Sequence, residues 1–309
     1  MRNELAALLE KYEQRILGQS INLKFLLSAV LADGHVLIEG VPGTGKTQMV
    51  RTLADLLSGT FNRIQFTPDL LPSDITGSTI YNMQESSFQT IKGPVFSNIL
   101  LADEINRTPA KTQAALLEAM EEKQVTIQGE TYKLPDVFFV VATQNPIEFE
   151  GTYPLPEAQQ DRFLLKLQID FPSLEEETNV LKQVLEPGDA QKVIDAVVDI
   201  DTFQSIRQEV EALTLNDEMY DYIMQIVRRT RDMEAVRFGA STRAAISIAK
   251  AARSWAYLTG REYVTPDDVK MVAKPALRHR LQLSPHTELE GVGLDEIIEE
   301  LVGAVAVPR

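Results

Sequence analysis

The run Gly40-Val41-Pro42-Gly43-Thr44-Gly45-Lys46-Thr47 constrains this chain more than any other stretch. It fits the pattern G-x-x-x-x-G-K-[ST], which has meaning only where a strand ends and a helix begins. Both flanks agree: His35 to Glu39 reads as a short buried strand, and Met49, Val50, Leu53, Leu56 and Leu57 recur at helical spacing after the loop. Glycines let successive backbone N–H groups close around a phosphate, and the helix N-terminus adds the positive end of its dipole. In such a loop Lys46 reaches the β and γ oxygens of a triphosphate, and Thr47 offers a hydroxyl to Mg²⁺.

The remaining pattern places this loop in a parallel sheet. Ile99 to Ala102 and Val137 to Thr143 are apolar without alternation, as expected for strands covered on both faces. Between them Thr108 is expected to cap a helix with Pro109 in its first turn, continuing through Ala110, Ala114, Leu117 and Glu121. The period then changes to two: Gln124 to Leu134 reads as a hairpin around Gly129, and Thr79 to Val95 as a hairpin turning near Gln84 to Ser87. Beyond Phe171 and Pro172 helical stretches dominate, at about Leu174 to Leu185, Thr202 to Leu213, Asp217 to Asp232, Ser241 to Leu258 and Pro266 to Arg280. In the fourth, Ala244, Ile248, Ala251, Trp255 and Leu258 form one apolar stripe. The expected division is an α/β core over residues 1–170 and a smaller all-α domain over 171–309.

Composition removes several classes of function. The 309 residues contain no cysteine, so disulfides, thiolate catalysis and cysteine-ligated zinc are excluded. Acidic residues outnumber basic ones in both halves, by seven up to Asp170 and by eight after it, which argues against a nucleic-acid partner. Arg2, Glu4, Glu10, Lys11 and Glu13 interrupt any apolar signal core, so a cytoplasmic protein is expected. No apolar run approaches the roughly 18 residues of a membrane span.

Further candidates follow from strand ends and helix starts. Asp103 and Glu104 end the Ile99 strand at the sheet edge where open α/β folds bind ligands. Asp103 suits Mg²⁺ through water, and Glu104 suits the role of base toward an attacking water. Asn145, in the run Val140 to Pro146, is placed to orient that water from the opposite side. Arg243 lies in the first turn of its helix, where the macrodipole disfavours a cation by a few tenths to about 1 kcal/mol, so an anion such as a nucleotide γ-phosphate should compensate, although Arg162 and Arg243 each taken alone read more readily as surface salt bridges. His35, His279 and His286 lack metal-ligand spacing and read as structural or solvent-facing, and Arg228, Arg229 and Arg231 as a solvated helix face or subunit contact.

Taken in order, the phosphate loop, the Asp-Glu strand, the amide at Asn145, the arginine at Arg162 and a helical domain bearing Arg243 resemble the AAA+ ATPases. Gly40 to Thr47, Leu101 to Arg107, Ala142 to Pro146 and Pro156 to Phe163 are most similar to the MoxR family, and the resemblance covers nearly the whole chain. It implies a P-loop AAA+ core with β-hairpin inserts and a helical lid. It assigns Asn145 to sensor 1, Arg162 to the arginine finger offered to a neighbouring subunit, Arg243 to sensor 2, and Gly18 and Gln19 to the segment near adenine. The two hairpins correspond to the helix 2 insert and the pre-sensor 1 insert, which face the ring pore or a partner.

The resemblance further implies ATP and Mg²⁺, a hexameric ring, and a chaperone-like role in maturing or inserting cofactors into partner complexes, often with a protein carrying a von Willebrand factor A domain. Some relatives carry extra client-binding domains, so client recognition here is expected on the inserts or on another chain. The alternatives are a magnesium-chelatase-type subunit, a GTP-using restriction motor, and a slow nucleotide-gated binding scaffold.

Overall fold

The computed structural model describes residues 2–145, 151–185 and 195–308. Helices α1 (Arg2–Arg15) and α2 (Ser20–Leu31) precede β1 (Val36–Gly40), which runs through the glycine loop into α3 (Lys46–Leu56). There follow β2 (Phe61–Gln65), α4 (Pro72–Thr76), the hairpin β3 (Gly77–Asn82) with β4 (Ser87–Lys92), and β5 (Ile99–Asp103). Helix α5 (Ala110–Glu122), the hairpin β6 (Gln124–Ile127) with β7 (Glu130–Lys133), β8 (Phe139–Gln144), α6 (Glu157–Gln160) and β9 (Leu165–Ile169) complete the core. The sheet has five strands in the order β2-β5-β8-β1-β9, and every neighbouring pair is parallel.

The uninterrupted apolar strands have a simple cause. Successive side chains point to opposite faces, and both faces are covered. Val36, Ile38, Ile99, Leu101, Phe139 and Val141 pack with α1 to α3 and with the C-terminal helices. Leu37, Leu100, Ala102, Val140 and Ala142 pack on the other side with α5 and the β6–β7 hairpin. The Gln124 hairpin turns at Gln128 and Gly129, both at positive φ (+49° and +88°), where glycine removes the steric cost at the second position.

The helical part comprises α7 (Leu174–Leu185), α8 (Ile200–Glu211), α9 (Asp217–Asp232), β10 (Val236–Phe238), α10 (Thr242–Leu258), α11 (Pro266–Leu277), β11 (Gln282–Leu283), α12 (Pro285–Leu289) and α13 (Leu294–Gly303). Its boundaries follow its caps: Asp199, Asn216 and Ser241 each accept a bond from a first-turn N–H, and Thr265 forms a capping box with Asp268. The expected stripe of α10 is buried at Ala244, Ile248, Ala251 and Trp255, and Trp255 packs on Phe25 of α2 with ring centroids 4.8 Å apart. That contact seats the helical part on the core.

Some local expectations shift. Thr108 does not cap α5, because its hydroxyl donates to Thr67 O at 2.9 Å, and Pro109 takes the cap position. Helix α11 ends at Leu277, and the residues after it leave the helix for another task described below. The short antiparallel pair β10-β11 is too brief to show a period of two. Pro146, the expected end of the amide run, lies outside the described residues.

Candidate functional site

Parallel pairing brings the carboxyl ends of β1, β2, β5 and β8 to one edge, with Glu39 opposite Gln144 and Gln65 opposite Asp103. There a cavity of about 520 Å³ opens between Gly43, Lys46 and Thr47 on one side and Asp103, Glu104 and Asn145 on the other. Gly40, Pro42, Thr44 and Gly45 also line it. Two different demands explain the glycines. Gly43 and Gly45 sit at φ +84° and +80° with open space where a Cβ would project, so the backbone conformation requires them. A Cβ on Gly40 would instead lie 2.4 Å from Ile169 O on β9, so packing requires that one.

The Lys46 ammonium donates to Gly40 O at 2.8 Å and to Val41 O at 2.7 Å, while Thr44 Oγ1 donates to Val41 O at 3.1 Å. Partial burial pushes the Lys46 pKa down, and the facing carboxylates of Asp103 and Glu104 pull it back up. The cation is thus held inside the loop by the loop's own carbonyls.

The two carboxylates are positioned by residues that sequence reasoning missed. Thr143 Oγ1, on β8, donates to Asp103 Oδ1 at 2.6 Å and accepts from Glu104 N at 2.9 Å. Glu104 itself sits at φ +58°, in the left-handed region. On β2, Arg63 donates to Asp103 Oδ2 through Nε and Nη2 at 3.1 and 2.7 Å. Gln65 Nε2 donates to Glu104 Oε2 at 2.6 Å, and Arg107 Nε stands 3.1 Å from the same oxygen. Arg63 and Gln65 are two residues apart on one strand and so share a face. Their alternation was the available signal, but β2 is short and polar and gave no apolar run to mark it.

Thr47 and Asp103 offer a hydroxyl and a carboxylate, hard oxygen donors within one cavity. Among the described residues no cluster of three His, Asp or Glu side chains is arranged to hold a metal. That donor set fits Mg²⁺, which keeps several waters and takes its other oxygens from phosphates.

Gly18 lies at φ +74° in the α1–α2 turn, where a Cβ would meet the Glu176 carboxyl carbon at 2.8 Å. Gln19 beside it is buried and accepts from Asn22 Nδ2 at 2.8 Å, and Asn22 also donates to Gln168 O at 3.3 Å. Gln168 pairs with Glu39, so this turn is tied to the strand that leads into the glycine loop.

Arg162 and Arg243 stand elsewhere. They line a separate cavity with Glu121 and Asp161, one that contains none of the glycine loop. Glu121, on the last turn of α5, takes Arg162 Nη2 at 2.9 Å on one oxygen and Arg243 Nη2 at 3.2 Å on the other. Arg162 Nη1 also donates to Leu117 O at 2.8 Å, and Arg243 Nη1 is 3.7 Å from Asp161 Oδ2. The anions that offset Arg243 at its helix start are therefore carboxylates of this chain. Both pairs with Glu121 are part-exposed, and such pairs are worth about 0–1 kcal/mol, so a phosphate can displace them.

The histidines are structural or exposed. His35 is buried, accepting from Val140 N at Nδ1 and donating from Nε2 to Met120 O, and burial pushes its pKa down to about 4. His279 is also buried, with its pKa well below the usual range, and His286 is exposed. Among the described residues no helix is long and apolar enough to cross a membrane.

Residues 35–165 match the ATPase family associated with various cellular activities (AAA), and residues 228–301 match the AAA lid domain. The chain is 50% identical over 282 residues to protein YeaC of Bacillus subtilis, covering 91% of this chain and 88% of that one. It is 44% identical over 314 residues to Chaperone MoxR1 of Mycobacterium tuberculosis, covering 95% and 80%. A crystal structure of a protein from Cytophaga hutchinsonii superposes with a TM-score of 0.93 at 42% identity, covering 100% of this chain and 96% of the other.

Proposed function

Because the chain belongs to the MoxR family of AAA+ ATPases, we propose that it hydrolyses ATP at the contact between two copies of itself. The glycine loop from Gly40 to Thr47 cradles the phosphates, with Lys46 on the β and γ oxygens and Gly18 and Gln19 near the base. Thr47 and Asp103 would hold Mg²⁺, which would supply charge neutralisation to the bound phosphates. Glu104 accepts the proton of the attacking water, and Asn145 orients that water.

Arg162 and Arg243 act on the neighbour's γ-phosphate. The observation that carries this reading is their separation from the loop of their own chain, together with their convergence on the one carboxylate of Glu121. A γ-phosphate presents the same kind of target, an anion with oxygens for both guanidinium groups. The test is Arg162→Ala: it should retain nucleotide binding and lose about 10³-fold or more in turnover. An unchanged rate would reject the assignment.

Around this cycle the protein works as a chaperone-like remodelling factor, built as a hexameric ring of subunits with a core at residues 1–170 and a lid at 171–309. It serves in the cytoplasm, maturing partner complexes or inserting their cofactors together with a protein bearing a von Willebrand factor A domain. The name of the Mycobacterium relative supports the chaperone part. The β3–β4 hairpin supports client contact, because it exposes Ile80, Tyr81, Met83, Phe88 and Ile91. A pull-down with Glu104→Gln in ATP should retain a partner that is lost in ADP, and equal recovery in both nucleotides would count against a client cycle.

A further inference from the structure

We propose that Arg280 is a positioning residue for Arg162, gripping from the helical part of the chain the segment on which that guanidinium stands. This rests on the reading of Arg162 as the group offered to a neighbouring site.

Arg280 follows the end of α11, and its side chain is only 2% exposed. Four of its six hydrogen bonds go to residues 161–164, and a fifth runs from Nη1 back to Ala276 O at 2.5 Å on α11. Nε donates to Asp161 Oδ1 at 2.6 Å, Nη2 to Asp161 O at 3.1 Å and to Phe163 O at 2.7 Å, and Nη1 to Leu164 O at 3.2 Å. Arg162 lies inside that short segment, between residues held on both sides.

Neighbours reinforce the grip. His279 Nε2 donates to the same Phe163 O at 2.9 Å, and Arg278 Nη1 reaches Lys166 O at 3.4 Å while the rest of its guanidinium is held by Asp295. Three consecutive residues after α11 thus lie along residues 163–166, which lead into and form β9. Arg280 Nη2 also donates to Ser247 Oγ at 3.0 Å on α10, the helix that carries Arg243. One buried guanidinium therefore joins the supports of both functional arginines.

The chemistry demands arginine here. A planar fork satisfies acceptors in several fixed directions at once, which a lysine ammonium on a flexible stem does not reproduce. A guanidinium this buried also has to keep its partners, because burying it unpaired is costly. The supports of Arg162 and Arg243 are accordingly locked together, and a displacement of α10 and α11 is passed by direct bonds to the residues that flank Arg162.

The test uses the full chain with Arg280→Lys, alone and mixed in equal amounts with Lys46→Ala. The lysine keeps the charge and loses the fork. Turnover should fall about 10²-fold, the scale set by a displacement of roughly 1 Å in a reacting group. Affinity for a fluorescent ATP analogue should stay within about twofold, since the variant's own loop is intact. Mixing should restore turnover above the sum of the two proteins, because Lys46→Ala subunits lend correctly placed arginines to Arg280→Lys sites.

Turnover within about threefold of the parent would overturn the proposal, as would a loss that Lys46→Ala fails to rescue while it does rescue Arg162→Ala. If Arg162→Ala is itself not rescued, the reading of Arg162 fails and this proposal falls with it. Should Arg280→Lys not fold, Asp161→Asn removes the charge partner and leaves the backbone acceptors. It should then show the same rescuable loss at about tenfold, and parent-like turnover in that variant would be decisive against the proposal.

Discussion

Replacing Thr143 by valine removes one hydroxyl and almost no volume, at a residue only 1% exposed. That hydroxyl makes two bonds that bear on the paired carboxylates: it donates to Asp103 Oδ1 at 2.6 Å and accepts from Glu104 N at 2.9 Å. The first is charge-assisted and worth about 1.5–3 kcal/mol, the second is neutral and worth about 0.5–1.5 kcal/mol. Thr143→Val should therefore lower stability by about 2–4.5 kcal/mol. The second bond also holds Glu104 at φ +58°, a conformation that costs a residue with a side chain about 1–2 kcal/mol. Released from it, the Glu104 backbone relaxes and the carboxylate moves away from the attacking water, for which a loss of about 10²-fold in kcat is expected. Urea unfolding gives the stability, and steady-state phosphate release gives kcat and KM. Thr143→Ser should recover most of both. A valine variant with the parent's midpoint and turnover would refute the idea that this hydroxyl positions Glu104.

Glu104→Gln keeps the bond geometry at the strand end and removes the base, so it should bind ATP with near-parental affinity and release phosphate on the order of 10²- to 10⁴-fold more slowly; single-turnover measurements decide. Gly40→Ala should destabilise the core by about 1–3 kcal/mol, because its Cβ would lie 2.4 Å from Ile169 O. Gly43→Ala meets open space but is strained at φ +84°, at about 1–2 kcal/mol, and should in addition weaken nucleotide binding, so ligand titrations rather than melts should separate the two glycine roles. His35 has a folded pKa of about 4 against 6.5, so the unfolded chain takes up its proton first as pH falls. Its contribution is complete above pH 6.5 and is lost as pH drops toward 4, on the order of 3 kcal/mol in all. Unfolding free energies at pH 7 and pH 5 should differ less in His35→Asn than in the parent, and identical slopes would exclude the assignment.

Much of the architecture was legible because it is written in local periodicity. Uninterrupted apolar runs marked β5 and β8, alternation around Gly129 marked a hairpin, and the stripe on α10 marked the helical part. The edge strands and helix starts were less visible. Strand β2 carries Asn62, Arg63 and Gln65 and reads as polar chain, so two side chains that hold Asp103 and Glu104 went unnoticed.

The sequence alone determined the glycine loop with its lysine and the strand-end pair of carboxylates, since each group keeps its internal relation over a few bonds of chain or along a buried strand. Only the tertiary structure decided where the other charges go. Arg162 and Arg243, 81 positions apart in the chain, meet at Glu121 rather than at Lys46, and Arg280 grips the segment of Arg162 from more than a hundred residues away. Such meetings depend on how α10 and α11 pack on the sheet. No local period encodes that packing, because it is set by which apolar faces are left to cover one another.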